Sequence, residues 1–292
     1  MSAQQWLEQM SRAMKALNYR GTVTFFKNDQ LDSMNYFHAI KDSHEQESLV
    51  ALNSPMREVI RDAGKVSCTF KKSKKGVINH RPASRSFIVD LPNDFSVLTD
   101  VVDFSVEGEE FIAMLPVQVI SISAKDDFRY SRRIWIDKQH FLPLKVEVYD
   151  LSGKVLEQVV FTDLKVVDEL AFIKIDKELK DHEVKHIHQL VFFSADNASF
   201  VLDSIPPRFQ KEFFTRMKKN NSTQEMEHLV LNDGFSFISV YLEQKIKGVT
   251  EGAQTLGTVN SFTHFIDDTQ ITVIGEVPAK TVRFIAQGVK LR

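Results

Sequence analysis

Apolar and polar residues alternate at a period of two in segment after segment from residue 22 to residue 164. No other feature narrows the fold as much, because only a strand sends every second side chain to one face. Val23 and Phe25 share a face opposite Thr22 and Thr24, and Asn28-Asp29 follows as a hairpin turn. The same pattern predicts strands over 35–40, 46–52, 57–61, 66–71 and 86–90, then over 116–124, 130–137, 144–150 and 155–164, with residues 150–154 turning the last pair. Residues 98–115 alternate poorly, with 100–104 open to helix or loop, and the stretch stays unassigned. Using 23 Phe but only 11 Gly and 8 Pro in 292 residues favours long strands over tight turns. Ahead of the strands, Trp6, Leu7, Met10, Ala13, Met14 and Leu17 recur at spacings of three and four, which predicts an amphipathic helix over 5–17. A sheet of this many sequential strands must curl. The expected class is therefore mixed α+β, mostly antiparallel β, with a large unclosed half-barrel holding helix in its hollow.

Charge and histidine crowd residues 176–188 while apolar residues thin out, which reads as a connector. The expected division is a half-barrel domain over 1–175, a linker over 176–190 and a smaller α+β C-terminal domain over 191–292. The last contains strand-like runs at 191–193 and 200–202, a hairpin of 229–231 and 235–240 around Asn232-Asp233-Gly234, and a strand over 270–274. It closes with a helix that has Pro278 in its first turn and Val282, Ile285, Ala286 and Val289 as its stripe.

With 37 Lys and Arg against 39 Asp and Glu, the net charge of −2 removes the electrostatic basis for nucleic-acid binding. No run of about 20 apolar residues suits a membrane helix. The opening Met1-Ser2-Ala3-Gln4-Gln5 fits a cytosolic start as well as a mature secreted one. The lone Cys68 cannot form an intrachain disulfide and sits mid-strand as a packing residue. Gly252 and Gly257 lack the Lys-Ser/Thr of a phosphate loop, and no G-x-S-x-G elbow exposes a serine, so no catalytic residue and no cofactor is assigned. His182, His186 and His188 read as a solvated linker rather than a metal site, because no third ligand of fixed geometry accompanies a helical His182–His186 pair. The pairs Glu109-Glu110, Asp126-Asp127 and Asp267-Asp268 diverge in a strand and read as surface. The basic run Lys71-Lys72-Ser73-Lys74-Lys75 reads as a solvated turn, with an anionic head group as its alternative use.

Four segments carry a likeness. Residues 135–145, Trp-Ile-Asp-Lys-Gln-His-Phe-Leu-Pro-Leu-Lys, resemble the Trp-x-Asp…Leu-Pro hairpin of periplasmic lipoprotein-carrier-like half-barrels. Residues 52–61 (LNSPMREVIR), 233–240 (DGFSFISV) and 271–281 (ITVIGEVPAKT) resemble, in order and spacing, the RseB/MucB family of periplasmic regulators of an envelope-stress sigma factor. The resemblance implies a periplasmic, non-catalytic protein. Its partner would be the periplasmic domain of a transmembrane anti-sigma factor of RseA/MucA type, which it would shield from regulated proteolysis until a lipid-bearing signal released it. The family pattern also implies a turn around Pro206-Pro207 and then a strand. Phe209, Phe213, Phe214 and Met217 have helical spacing, but Phe213, Thr215 and Met217 also alternate, so the strand is expected.

The lipid-cavity candidates are Val23, Phe25, Ile134, Ile136, Val146 and Val148, with Trp135 on the opposite face. Such a lining takes lipid, lipopolysaccharide or lipoprotein acyl chains out of water at ~0.8 kcal/mol per buried methylene, although the same residues serve equally to pack on the first helix. The partner-binding candidates are Phe235, Phe237, Val240 and Pro278, because a carrier alone needs no second domain. The competing reading is a periplasmic lipid or lipoprotein carrier. Assembly into a homo-oligomer stays open.

Overall fold

The computed structural model describes residues 1–53, 57–62, 65–71, 86–92, 94–173, 183–188, 193–218 and 225–292. The chain opens with α1 (Ala3–Ala16), whose start is closed reciprocally: Gln5 N donates to Ser2 Oγ at 3.2 Å and Ser2 N to Gln5 Oε1 at 2.8 Å. Trp6, Leu7, Met10 and Met14 form its buried stripe. Ten strands follow: β1 (Asn18–Lys27), β2 (Gln30–Lys41), β3 (His44–Ala51), β4 (Arg57–Asp62), β5 (Lys65–Lys71), β6 (Val102–Ile112), β7 (Leu115–Ala124), β8 (Ser131–Asp137), β9 (Pro143–Tyr149) and β10 (Val155–Val167). With β11 (Glu183–His188) they make an 11-stranded antiparallel sheet in the order β11-β5-β4-β3-β2-β1-β10-β9-β8-β7-β6. Two meanders, β1 to β5 and β6 to β10, are joined where β1 pairs with β10. Its edges β11 and β6 do not meet, so the barrel is unclosed, and α1 packs in its hollow against β6 and β7.

Local chemistry explains several of these choices. Asn28 and Asp29 both take positive φ, 55° and 58°, as a two-residue hairpin turn requires. Gly21 lies beside the β1 bulge at Thr22/Val23, where any Cβ would sit 2.0 Å from Asp163 O. In the Trp-x-Asp hairpin, Asp137 accepts from His140 N at 2.7 Å and so closes the turn between β8 and β9.

One sequence expectation is corrected here, and two further stretches take a definite form. Residues 86–90 are not a strand, because the buried Glu47 carboxylate captures Phe87 N at 3.1 Å and takes the amide out of any ladder. Within the expected linker, Glu183–His188 form β11 on the edge of the large sheet, antiparallel to β5. The undecided stretch 98–115 is a short turn and then strand from Val102. The Lys72–Lys75 run and His182, together with the side chains of Cys68, Lys71, His186 and His188, lie outside the described residues.

The second half holds β12 (Phe200–Leu202), β13 (Gln210–Lys218), β14 (Glu225–Asn232), β15 (Phe237–Gln244), β16 (Gly252–Leu256), β17 (Val259–Ile266), β18 (Thr269–Gly275), α2 (Ala279–Gln287) and β19 (Val289–Leu291). Six strands form a sheet in the order β13-β14-β15-β18-β17-β16, and β12 pairs with β19 beside it. α2 packs on β17 and β18, its Val282 and Ile285 meeting Leu229, Leu231, Ile238, Val240, Ile271 and Val273 in a separate core. β13 is a strand, as the alternation of Phe213, Thr215 and Met217 requires. β16 and β17 were not legible, since their polar-rich sequences carry little apolar alternation, and Val289, expected on the stripe of the last helix, lies instead in β19, because α2 ends at Gln287 with Gly288 as its C-cap. Among the described residues no helix is long and apolar enough to cross a membrane.

Candidate functional site: the junction of the two domains

The loop between β14 and β15 inserts from the C-terminal domain into the large one. Asp233 Oδ1 accepts from Phe235 N at 3.0 Å and Ser236 N at 2.8 Å, which folds the loop on itself. Gly234 supplies the φ of +94° that the turn demands, and it lies so close to the large domain that a Cβ would stand 2.5 Å from Pro92 Cβ. The next side chain, Phe235, is buried in the core of the large domain rather than its own.

A buried ion pair fixes this insertion. Asp233 Oδ2 accepts from Arg129 Nη1 at 2.9 Å, with the two side chains 0% and 1% exposed. Arg129 also donates through Nε to Asp126 at 3.2 Å and through Nη2 to Pro207 O at 2.6 Å, so its charge is matched on both sides of the junction. Arg132 Nη2 reaches Phe235 O at 3.1 Å and Ser236 Oγ at 2.8 Å. A second seam runs under α2. There Thr281 Oγ1 donates to Phe128 O at 2.8 Å, and Asn260 Nδ2 donates to Tyr130 Oη at 2.9 Å and Val277 O at 2.7 Å.

Beside the loop opens a cavity of about 260 Å³ walled by α1, by β1 to β4, by residues 86–91 and by Glu212, Asn232, Gly234 and Phe237 of the C-terminal domain. Its floor is a chain of buried polar groups. Tyr19 and Tyr36 hydroxyls lie 3.2 Å apart, Tyr36 Oη donates to Glu47 Oε1 at 2.6 Å, and Arg61 donates through Nε and Nη2 to Glu47 Oε2 at 3.0 and 2.9 Å. Arg61 Nη2 also reaches Glu45 Oε1 at 2.5 Å. His38 bridges Leu17 O, 2.8 Å from its Nδ1, and Glu45 Oε1, 3.2 Å from its Nε2. The hydrogen bond from His38, joined by the charge of Arg61, holds the Glu45 carboxyl at about 2 against the opposing effect of burial. Burial raises both tyrosines well above the ordinary phenol value. Charges of both signs in one wall suit a polar or peptide segment better than a bare acyl chain.

The sequence candidates divide between roles. Val23, Ile134, Ile136 and Val146 are fully buried in one core with Leu7 and Met10 of α1, while Phe25 and Val148 are half-buried. Cross-strand pairing of Ile134 with Val146, and of Trp135 with Lys145, puts Trp135 on the face opposite Ile134. That face is also buried at Trp135, whose Nε1 donates to Glu110 at 2.9 Å and whose ring lies 4.2 Å from Lys145 Nζ. Of the partner candidates, Phe237 faces the cavity. Phe235 is spent on the junction, Val240 on the C-terminal core, and Pro278 is buried as the N-cap of α2. Sequence reasoning passed over Arg129, Arg132, Glu47 and Arg61. The run Arg129-Tyr130-Ser131-Arg132-Arg133 did carry a signal, since three arginines at the mouth of a strand otherwise built of Ile and Trp need acceptors to be buried.

Comparison with known proteins covers both halves of the chain. A family model described as the MucB/RseB N-terminal domain matches residues 2–186, and one described as the MucB/RseB C-terminal domain matches residues 194–290. The chain is 25% identical over 290 residues to the sigma-E factor regulatory protein RseB of Escherichia coli strain K12, covering 97% of this chain and 89% of that one. It is 24% identical over 294 residues to the sigma factor AlgU regulatory protein MucB of Pseudomonas aeruginosa, covering 99% and 90%. Among solved structures, MucB in complex with MucA(peri) has the same fold, with a TM-score of 0.76 at 22% identity and 99% of each chain covered. Two matched domain models spanning nearly the whole chain in order leave one conclusion: this chain belongs to the MucB/RseB family.

Proposed function

We propose that the protein is a periplasmic negative regulator of an envelope-stress sigma factor. It binds the periplasmic domain of a transmembrane anti-sigma factor, shields that domain from regulated proteolysis, and lets go when a lipid-bearing stress signal binds. One observation carries the reading: both family domains are present, in order, with the fold of MucB as solved in complex with MucA(peri). The cavity at the junction is the proposed entry for a partner segment, because Phe237, Asn232 and Glu212 from one domain and Arg61, Glu45 and Lys15 from the other share its wall. Lipid is assigned to the apolar interior of the half-barrel around Val23, Ile134, Ile136 and Val146, where an acyl chain gains entry by displacing α1 side chains from those residues. Residues 176–190 are proposed as the link between the domains.

The alternative, a lipid or lipoprotein carrier, needs no C-terminal domain and so leaves the buried Arg129–Asp233 connection without a purpose. Capture assays separate the two. The immobilised periplasmic segment of the cognate anti-sigma factor should retain the full chain and resist its first protease while doing so. Failure to retain the chain, or retention without protection, would overturn the binding or the shielding claim respectively.

A further inference from the structure

At the far end of the large sheet from the C-terminal domain, the β6–β7 hairpin ends in a bare apolar tip. Ala113 and Met114 turn it with φ of 48° and 64°. Met114 and Phe111, at 92% and 74% exposure, are the most exposed large apolar side chains among the described residues. From Phe111 to Pro116 the run Phe-Ile-Ala-Met-Leu-Pro contains no charged residue. The flanking carboxylates are drawn back along the strands, Glu110 to Trp135 Nε1 at 2.9 Å and Glu109 to Lys138 Nζ at 2.6 Å. The register places this tip beside Asp137, whereas the C-terminal domain docks at the opposite ends of β7 and β8, through Phe128 to Arg132.

We propose that this tip is a reversible anchor to a phospholipid bilayer of low negative charge. The tip is convex, not a groove, and two residues of strand at ~3.3 Å each carry it about 7 Å beyond Glu110, within the ~5–10 Å depth of the head-group boundary. A second copy of the chain fits badly along this edge. Glu107, Glu109 and Glu110 would face like charges, and the irregularity between Val106 and Glu109 interrupts the ladder. The same acidic collar weakens approach to an anionic surface. Tip and interior are separate lipid contacts, so the anchor stands whether or not the half-barrel takes an acyl chain.

The test is flotation of the full chain with phosphatidylcholine vesicles, comparing wild type with the double variant Phe111→Ser/Met114→Ser. Alongside it, an environment-sensitive fluorophore is placed at Met114→Cys in a Cys68→Ser background. Expected are vesicle binding that falls about tenfold or more in the double variant, a blue-shifted probe on vesicle addition, and a smaller shift once phosphatidylglycerol is mixed in. Three results would overturn the anchor. The first is equal flotation of variant and wild type, or none of either; the second is a probe shift that follows protein concentration without vesicles, which assigns the tip to self-association. The third is loss of anti-sigma capture by the double variant, which assigns it to a protein partner.

Discussion

Asp233 divides its carboxylate between two tasks, one oxygen closing its own loop and the other meeting Arg129 across the domain junction, so neutralising it leaves a guanidinium with 1% exposure short of an anion. Asp233→Asn should cost about 3 kcal/mol in urea unfolding, the usual cost of breaking a buried pair, with Asp126 limiting the loss. Phe235→Ala and Phe237→Ala should part company. The first empties a core site and should lower stability by about 3–5 kcal/mol, whereas the second removes a half-buried cavity wall, so it should change stability little and weaken partner capture instead. Glu45 gives a signed pH dependence. Its folded value of about 2 lies below its ordinary 4.5, so its contribution is complete above about 4.5 and is lost as pH falls towards about 2. Glu45→Gln should therefore be less stable than wild type at neutral pH, with the gap closing across that window. A gap that persists unchanged at the acid end would remove the assignment.

At the scale of elements, what the chain makes legible is set by how far apart the interacting residues are. The strands of the large sheet and the helix α1 follow from local periodicity, because alternation and three-to-four spacing are written within each segment. Residues 86–90 carry the strand-like apolar run Phe87-Ile88-Val89, yet the partner that claims their backbone is Glu47, about 40 residues away, and nothing local announces it. β11 reads as a charged linker by composition, and only its pairing with β5 makes it a strand. The Asp-Gly loop was visible as a turn, while the reach of Phe235 into the other domain was not. The candidate site has the same limit: Phe237, a candidate by its place on the hairpin, lines the cavity, and the Glu47–Arg61–Glu45 network was missed because its members are ordinary charged residues in sequence. For α1, Met10→Ala should cost about 2–5 kcal/mol in thermal or urea unfolding, since Met10 is fully buried between helix and sheet.

For the whole molecule, the junction determines how domain truncations behave. Removing residues 191–292 takes Phe235 out of the large domain's core and Asp233 from Arg129, so a fragment of residues 1–190 should unfold at lower urea than the full chain. Point changes at the cavity wall are therefore the cleaner probe of partner binding. Limited proteolysis tests the proposed division, with first cuts expected inside 176–190 and residues 183–188 spared by their pairing to β5. First cuts within 144–164 would contradict it. The central claim is that partner and lipid favour different arrangements of the two domains, and a ligand shifts such an equilibrium only by its differential affinity for the two states. Titration calorimetry of the full chain with the anti-sigma periplasmic segment, without lipid and with lipid at saturation, measures that difference directly. Binding that weakens about fivefold or more under lipid is the predicted result; an affinity unchanged by saturating lipid, or no binding in either condition, would contradict the account.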